Sequence, residues 1–382
     1  MKNKFIAAAV ALTVFLGAAL FLYNKKQENL NIFSGVAEKI YVAVEGTGEI
    51  VVIDAKTNNI LKRIDLSENK NGQNVGYMAH NVQAASNGQS VWLTANAMDK
   101  NDKEMKMSEH DGHGEGAAAE ENNDEVIVID PFTDTIIKRI EIGQGLHLSH
   151  IVLTPDSSYA IAASQEKGII YKINAASFKI EKEAVAKKGA EPHGLRVSPD
   201  GKTAYIAMIG DKSMGVLDME SFSFSGYIPL KGAAVQTAVT PDRKYALASV
   251  YDVKSLAVYD IVSAKLSYVD LPKEAKGPVQ IYPTPDSRYI YVADQGYYFD
   301  QPVGDKVYKI DLQEMKVIQT VQGGSAPHGV VVSQDGKFVY VTNLLSGDVS
   351  VIDAGAGKEI AKIEAGEMPN GISLWSSTQN RQ

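Results

Sequence analysis

Residues 327–353 read PHGVVVSQDGKFVYVTNLLSGDVSVID. Three short strands are legible in this stretch. The first leads into a turn at Ser333-Gln334-Asp335-Gly336. The second is the aromatic-rich run around Tyr340-Val341, and the third, Val351-Ile352, closes on Asp353. Asp-Gly supplies the turn chemistry, and alternation at period two belongs to strands with one buried face. The residues after Asp353 read as a fourth strand.

The same unit recurs along the chain, as a repeat architecture requires. An apolar run ending in Asp or Asn closes at Asp54, Asp130, Asn174, Asp218, Asp260, Asp311 and Asp353. There are seven such closures, so each Asp or Asn reads as a turn or cap residue rather than a catalytic acid. The turn prolines fall at 155, 199, 241 and 285, with Gln334 in the corresponding place, at steps of 44, 42, 44 and 49 residues. Propeller blades repeat at roughly 40–45 residues. A lone four-stranded sheet leaves its faces and edges unprotected, whereas radial stacking buries them. The first unit lacks its own leading strand, and Pro369-Asn370-Gly371-Ile372 resembles the leading strands elsewhere. The C-terminal strand is therefore expected to complete the first blade. The fold class is all-β: a seven-bladed β-propeller over residues 36–376, with an N-terminal transmembrane helix before it.

Tyr340-Val341-Thr342-Asn343, with Pro327-His328-Gly329-Val330 and Pro192-His193-Gly194-Leu195 as blade openings, resembles the YVTN-repeat (YncE-like) β-propeller family. The resemblance covers roughly residues 36–376 and implies the fold. Similar propellers serve as surface-layer proteins, lactonases, haem-binding reductase domains and copper reductases, so the fold does not choose a function. The chain is also distantly similar to the propellers of nitrous oxide reductase and of haem-binding nitrite reductase. The first also gathers histidines at its axis. It carries a cysteine-containing electron-entry domain that this chain lacks, so full reductase activity is not expected.

Composition narrows the function classes. The 382 residues carry a formal net charge of -8 and no basic block after Lys25-Lys26, which argues against a nucleic-acid partner. With no cysteine, disulfides, thiolate metal sites, iron–sulfur clusters and c-type haem attachment are excluded. Lys2 and Lys4 precede an apolar run of 19 residues from Phe5 to Tyr23, followed by Lys25 and Lys26. A run of that length can span a bilayer. Residues 1–26 thus read as a signal anchor or uncleaved signal peptide and residues 27–35 as a linker. The propeller would lie on the periplasmic or extracellular side of the cell membrane, with residues 377–382 as a C-terminal tail.

Aligning the blades on their turns places His80, Ser149, His193, Val235, Val279, His328 and Asn370 at the mouth of the leading strands. The next position holds Asn81, His150, Gly194, Gln236, Gln280, Gly329 and Gly371. Leading strands line a propeller's channel, so these side chains are expected to ring its mouth, with His147 nearby. Two insertions occupy second-to-third strand connections on the same face. Residues 99–123 in blade 2 carry Met105, Met107, His110 and His113. Residues 295–305 in blade 6 carry Tyr297, Tyr298 and Phe299, an aromatic loop suited to ligand contact. Loops on a rigid scaffold often carry function.

Imidazole ligates copper, zinc and iron, and thioether sulfur selects softer ions such as copper(I). The expectation is a membrane-tethered extracytoplasmic binding protein holding a metal or metal cofactor. Copper is favoured and haem is the second choice, for metal handling or accessory redox work with a redox or metal-delivery protein partner. His80, His150, His193 and His328 are the expected ligands. His147, His110, His113, Met105 and Met107 are possible accessory ligands, and Asn81, Gln236, Gln280 and Asn370 line the funnel. A purely structural role for the ring, fixing blade register, is the alternative at the residue level. At the protein level the alternatives are a non-catalytic interaction or surface-layer scaffold and a lactonase-like hydrolase. The hydrolase would need an acidic site, and the aligned ring holds no Asp or Glu.

Overall fold

A computed structural model describes residues 36–98, 122–298 and 301–377. The expected transmembrane helix, with Met105, Met107, His110, His113 and Phe299, lies outside the described residues. Among the described residues no helix is long and apolar enough to cross a membrane.

Seven four-stranded antiparallel sheets form the molecule, beside one short hairpin. Blade 2 runs Tyr77–Ala84, Val91–Ala97, Asp124–Asp130 and Thr135–Gly143 from the axis outward. The innermost strands of blades 3 to 7 are Leu148–Leu153, Pro192–Val197, Ala234–Val239, Pro278–Pro283 and Pro327–Val332. Blade 1 is closed as expected: Pro369–Ser376 pairs with Glu38–Val44 and becomes its innermost strand. The hairpin, Glu68–Lys70 with Gln73–Val75, lies in the connection from blade 1 to blade 2 and has no counterpart in the repeat.

The third strands end on the seven Asp and Asn residues read from the sequence. Each side chain accepts backbone N–H groups of the turn that follows, as Asp54 does from Lys56 at 2.8 Å and Asp353 from Ala356 at 2.7 Å. These residues are turn caps.

The apolar core is divided by blade. Seven main clusters form, one at each interface between neighbouring sheets. The seventh joins Val331, Tyr340 and Val349 of blade 7 to Ile40, Val42 and Val51 of blade 1, so the ring is closed by packing as well as by strand pairing. Trp375 adds a link between blade 1 and blade 2, donating through Nε1 to the Gly88 carbonyl at 2.9 Å and meeting Phe132 edge-on at 5.5 Å.

Every innermost strand carries a register irregularity at the same place. Pairing skips at Ala79/Val82, Leu148/His150, Pro192/Leu195, Ala234/Thr237, Pro278/Ile281 and Pro327/Val330, and opposite Pro369 and Ile372 in blade 1. A bulge frees residues from the ladder and re-aims their side chains. Six of the bulges span both ring positions aligned from sequence, and in blade 3 the skip covers Ser149 while His150 pairs with Ala163.

Candidate functional site

The ring residues converge. His80, His150, His193 and His328 are all buried. The rings of His80 and His193, from blades 2 and 4, meet edge-on with centroids 5.8 Å apart, and His147 meets His80 at 5.6 Å. Burial pushes His193 and His328 down to about 3, helped by the neighbouring His80 in both cases. These two imidazoles are neutral near pH 7, the state that ligation and hydrogen-bond acceptance require.

Hydrogen bonding divides the four histidines into two kinds. His150 is saturated at Nε2. Asn81 donates to it from Nδ2 at 3.1 Å and Gln236 from Nε2 at 2.8 Å. Backbone donors fix both amides: Ile151 N–H donates to Asn81 Oδ1 at 3.1 Å, and Thr237 N–H to Gln236 Oε1 at 2.8 Å. Gln236 also donates to Gln280 Oε1 at 2.5 Å. Side chains from blades 2, 3, 5 and 6 thus join in a polar floor across the channel. Gly194 belongs to this layer because a Cβ there would stand 2.2 Å from Gln236 Oε1.

The other three histidines are anchored through Nδ1. His193 donates to the Val235 carbonyl at 2.9 Å. His80 is held by Glu45 Oε1 at 2.9 Å. Gln295 Nε2 donates to His328 Nδ1 at 2.9 Å, which leaves the His328 proton on Nε2, a buried atom without a partner among the described residues. Nδ1–H donation that leaves Nε2 without a proton, as at His193 and His80, is the usual arrangement behind a ligating histidine, whereas His328 is held the other way round.

The aligned ring positions hold no acid, but Glu45 brings a carboxylate to the ring from outside them. It is buried directly after strand Glu38–Val44. Its Oε2 accepts from Asn370 Nδ2 at 3.0 Å and from the Tyr298 hydroxyl at 3.4 Å. Both oxygens are therefore engaged by protein donors, and the carboxylate is a support rather than a free acid.

The aromatic loop is seated on the protein. Tyr297 and Tyr298 are half-buried against Ala326, Leu344 and Met368, and the Tyr298 ring stands edge-on to His328 at 5.7 Å. Burial, with the Glu45 carboxylate beside it, raises the Tyr298 hydroxyl well above its usual range. His147 sits in left-handed backbone at φ 47°. Asp124 places it by accepting the N–H groups of Leu146 and His147 at 2.8 and 3.2 Å. Val235 and Val279 make the remaining part of the ring apolar, packed with Ala293. Among the described residues no group of three or more His, Asp or Glu side chains stands ready to enclose a metal ion.

The sequence profile of the YNCE-like β-propellers matches residues 203–379. The match runs from the second strand of blade 4 through the closing strand, a little under half of the chain. Antigen Lp49 of Leptospira interrogans is 28% identical over 183 residues, 42% of this chain and 38% of that protein, so the match spans well under half of the relative's length. A functionally unknown protein from Desulfotomaculum acetoxidans superposes with a TM-score of 0.67 at 12% identity, covering 88% of this chain and 99% of that one. Kuenenia stuttgartiensis hydrazine synthase gives 0.61 at 16% identity, covering 82% and 94%. At such identities the likeness extends to the propeller fold alone.

Proposed function

We propose that the chain is an extracytoplasmic binding propeller, tethered by the apolar run 5–23, whose axial pocket takes a copper ion between His80 and His193. One observation carries the reading: two imidazoles from different blades meet at 5.8 Å, each anchored through Nδ1 and with no hydrogen bond at Nε2 among the described residues. Metal–imidazole bonds of about 2 Å can bridge rings at that separation. Val235 and Glu45 fix the two ring orientations, and burial keeps the His193 ring neutral, with its one proton on Nδ1. His328 has a different part. Its partnerless Nε2–H would donate to a further group bound beside the ion, such as water or a partner's side chain. Copper at this place would supply one-electron or Lewis-acid chemistry.

The test is copper titration of the full chain, purified without a His tag, by calorimetry and elemental analysis. One equivalent is expected, lost in His80→Ala and His193→Ala and retained in His150→Ala, whose Nε2 the floor already occupies. If wild type and the His193→Ala variant bind copper alike, or neither binds it, the copper reading is wrong and an interaction scaffold becomes the better account.

A further inference from the structure

Arg196 lies three residues beyond His193 on the innermost strand of blade 4, about 10 Å deeper in the channel at strand rise. It is half-buried, and its guanidinium reaches the axis, where Nη1 is 3.5 Å from His150 Nδ1. Its other contact is the Leu195 carbonyl at 2.9 Å. No carboxylate of the described residues pairs with it. The corresponding positions in the other blades are Gln83, Val152, Ala238, Tyr282, Val331 and Ser373, none of them acidic. A guanidinium carries five N–H donors, and charges taken out of bulk water are ordinarily paired.

The floor supplies a second, independent observation. His150 Nε2 accepts from two amides whose orientations the backbone fixes, so it carries no proton. The proton of the neutral ring is then on Nδ1 and is aimed at Arg196. Two donors face one another across 3.5 Å with no acceptor between them. An anion beside that gap would accept from both.

We infer that the inner channel contains an oxyanion site formed by Arg196 and His150 Nδ1–H, on the side of the amide floor away from His80 and His193. Its ligand class is a small carboxylate or an inorganic oxyanion, held by the guanidinium fork as such groups commonly are. The Tyr282 hydroxyl, close enough to influence Arg196 electrostatically, is a further donor for it. This site does not depend on copper.

The experiment titrates the full chain with sodium phosphate, acetate or chloride at constant ionic strength, read by calorimetry and melting temperature. Saturable binding of phosphate or acetate is expected, with the two arms separating inorganic oxyanion from carboxylate. Affinity should fall at least tenfold in Arg196→Gln and stay within twofold in His193→Ala. Arg196→Lys, which keeps the charge without the fork, should fold and bind more weakly than wild type. A non-saturable response in the wild type, chloride acting as strongly as the oxyanions, or undiminished binding by Arg196→Gln or Arg196→Lys would overturn the site.

Discussion

Glu45 acts on the pocket through His80. Its Oε1 orients the ring through Nδ1, while Asn370 and Tyr298 hold Oε2 in place. Glu45→Gln keeps the shape but removes the charge and half the acceptor capacity. Loss of a supporting carboxylate behind a ligating histidine typically costs about 10–100-fold in metal affinity. The expected result is weakened copper binding at unchanged stoichiometry, measured by competition with a chelator of known affinity. A variant that binds as tightly as wild type would remove Glu45 from the site. Aligning blades on their turns found the four histidines but could not find Glu45. Glu45 directly follows a second strand, outside the leading-strand positions, where Gln295 of blade 6 is its equivalent and holds His328 at the same ring nitrogen. Arg196 was legible in principle, because the same alignment three residues further on picks it out. What sequence could not reveal is which imidazole nitrogens are already occupied, since Asn81 and Gln236 come from blades far apart in the chain.

Among the elements, the strands and their caps were readable because they depend on local chemistry: apolar alternation and Asp-bearing turns. The bulges were not, since a skipped pair at Ala79/Val82 exists only once two strands are in register. The interface between blades 1 and 2 holds another feature that local patterns do not show. Lys39, fully buried in strand Glu38–Val44, donates to Asp134 Oδ2 and to the Pro131 carbonyl, both at 2.7 Å. Tyr41 donates to the other oxygen of Asp134. Asp134 occupies the turn after the third strand of blade 2, so the ion pair fastens blade 1 to its neighbour. Lys39→Met fills similar volume but strands a buried carboxylate. Removing one partner of such a pair costs about 3–5 kcal/mol. Urea unfolding followed by tryptophan fluorescence should show that loss, because Trp375 packs beside Lys39. A loss below about 1 kcal/mol would mean that water reaches Asp134 and the fastening is weak.

At the scale of the whole ring, closure brings distant imidazoles into a dry centre, and that has a consequence for stability. His193 and His328 sit at about 3 in the folded chain, against about 6.5 for an unfolded histidine. As pH falls from 6.5 towards 3, the unfolded chain takes up protons that the folded chain refuses. Stability therefore decreases on acidification through that window and is fully present above it. Carboxylates of ordinary pKa join only near pH 4, so between about 6.5 and 4.5 the histidines dominate the unfolded-state titration. Asp124 and Asp294, raised by burial, work in the opposite sense by accepting protons in the folded state first. The raw slope mixes these contributions, and a comparison separates them. Denaturant midpoints of wild type and of a His193→Gln, His328→Gln double variant, measured at pH 7.0, 6.0 and 5.0, should diverge at pH 7 and converge as pH falls. Parallel curves would mean that these imidazoles are as easily protonated in the closed ring as in the open chain, and that the centre of the propeller is wet.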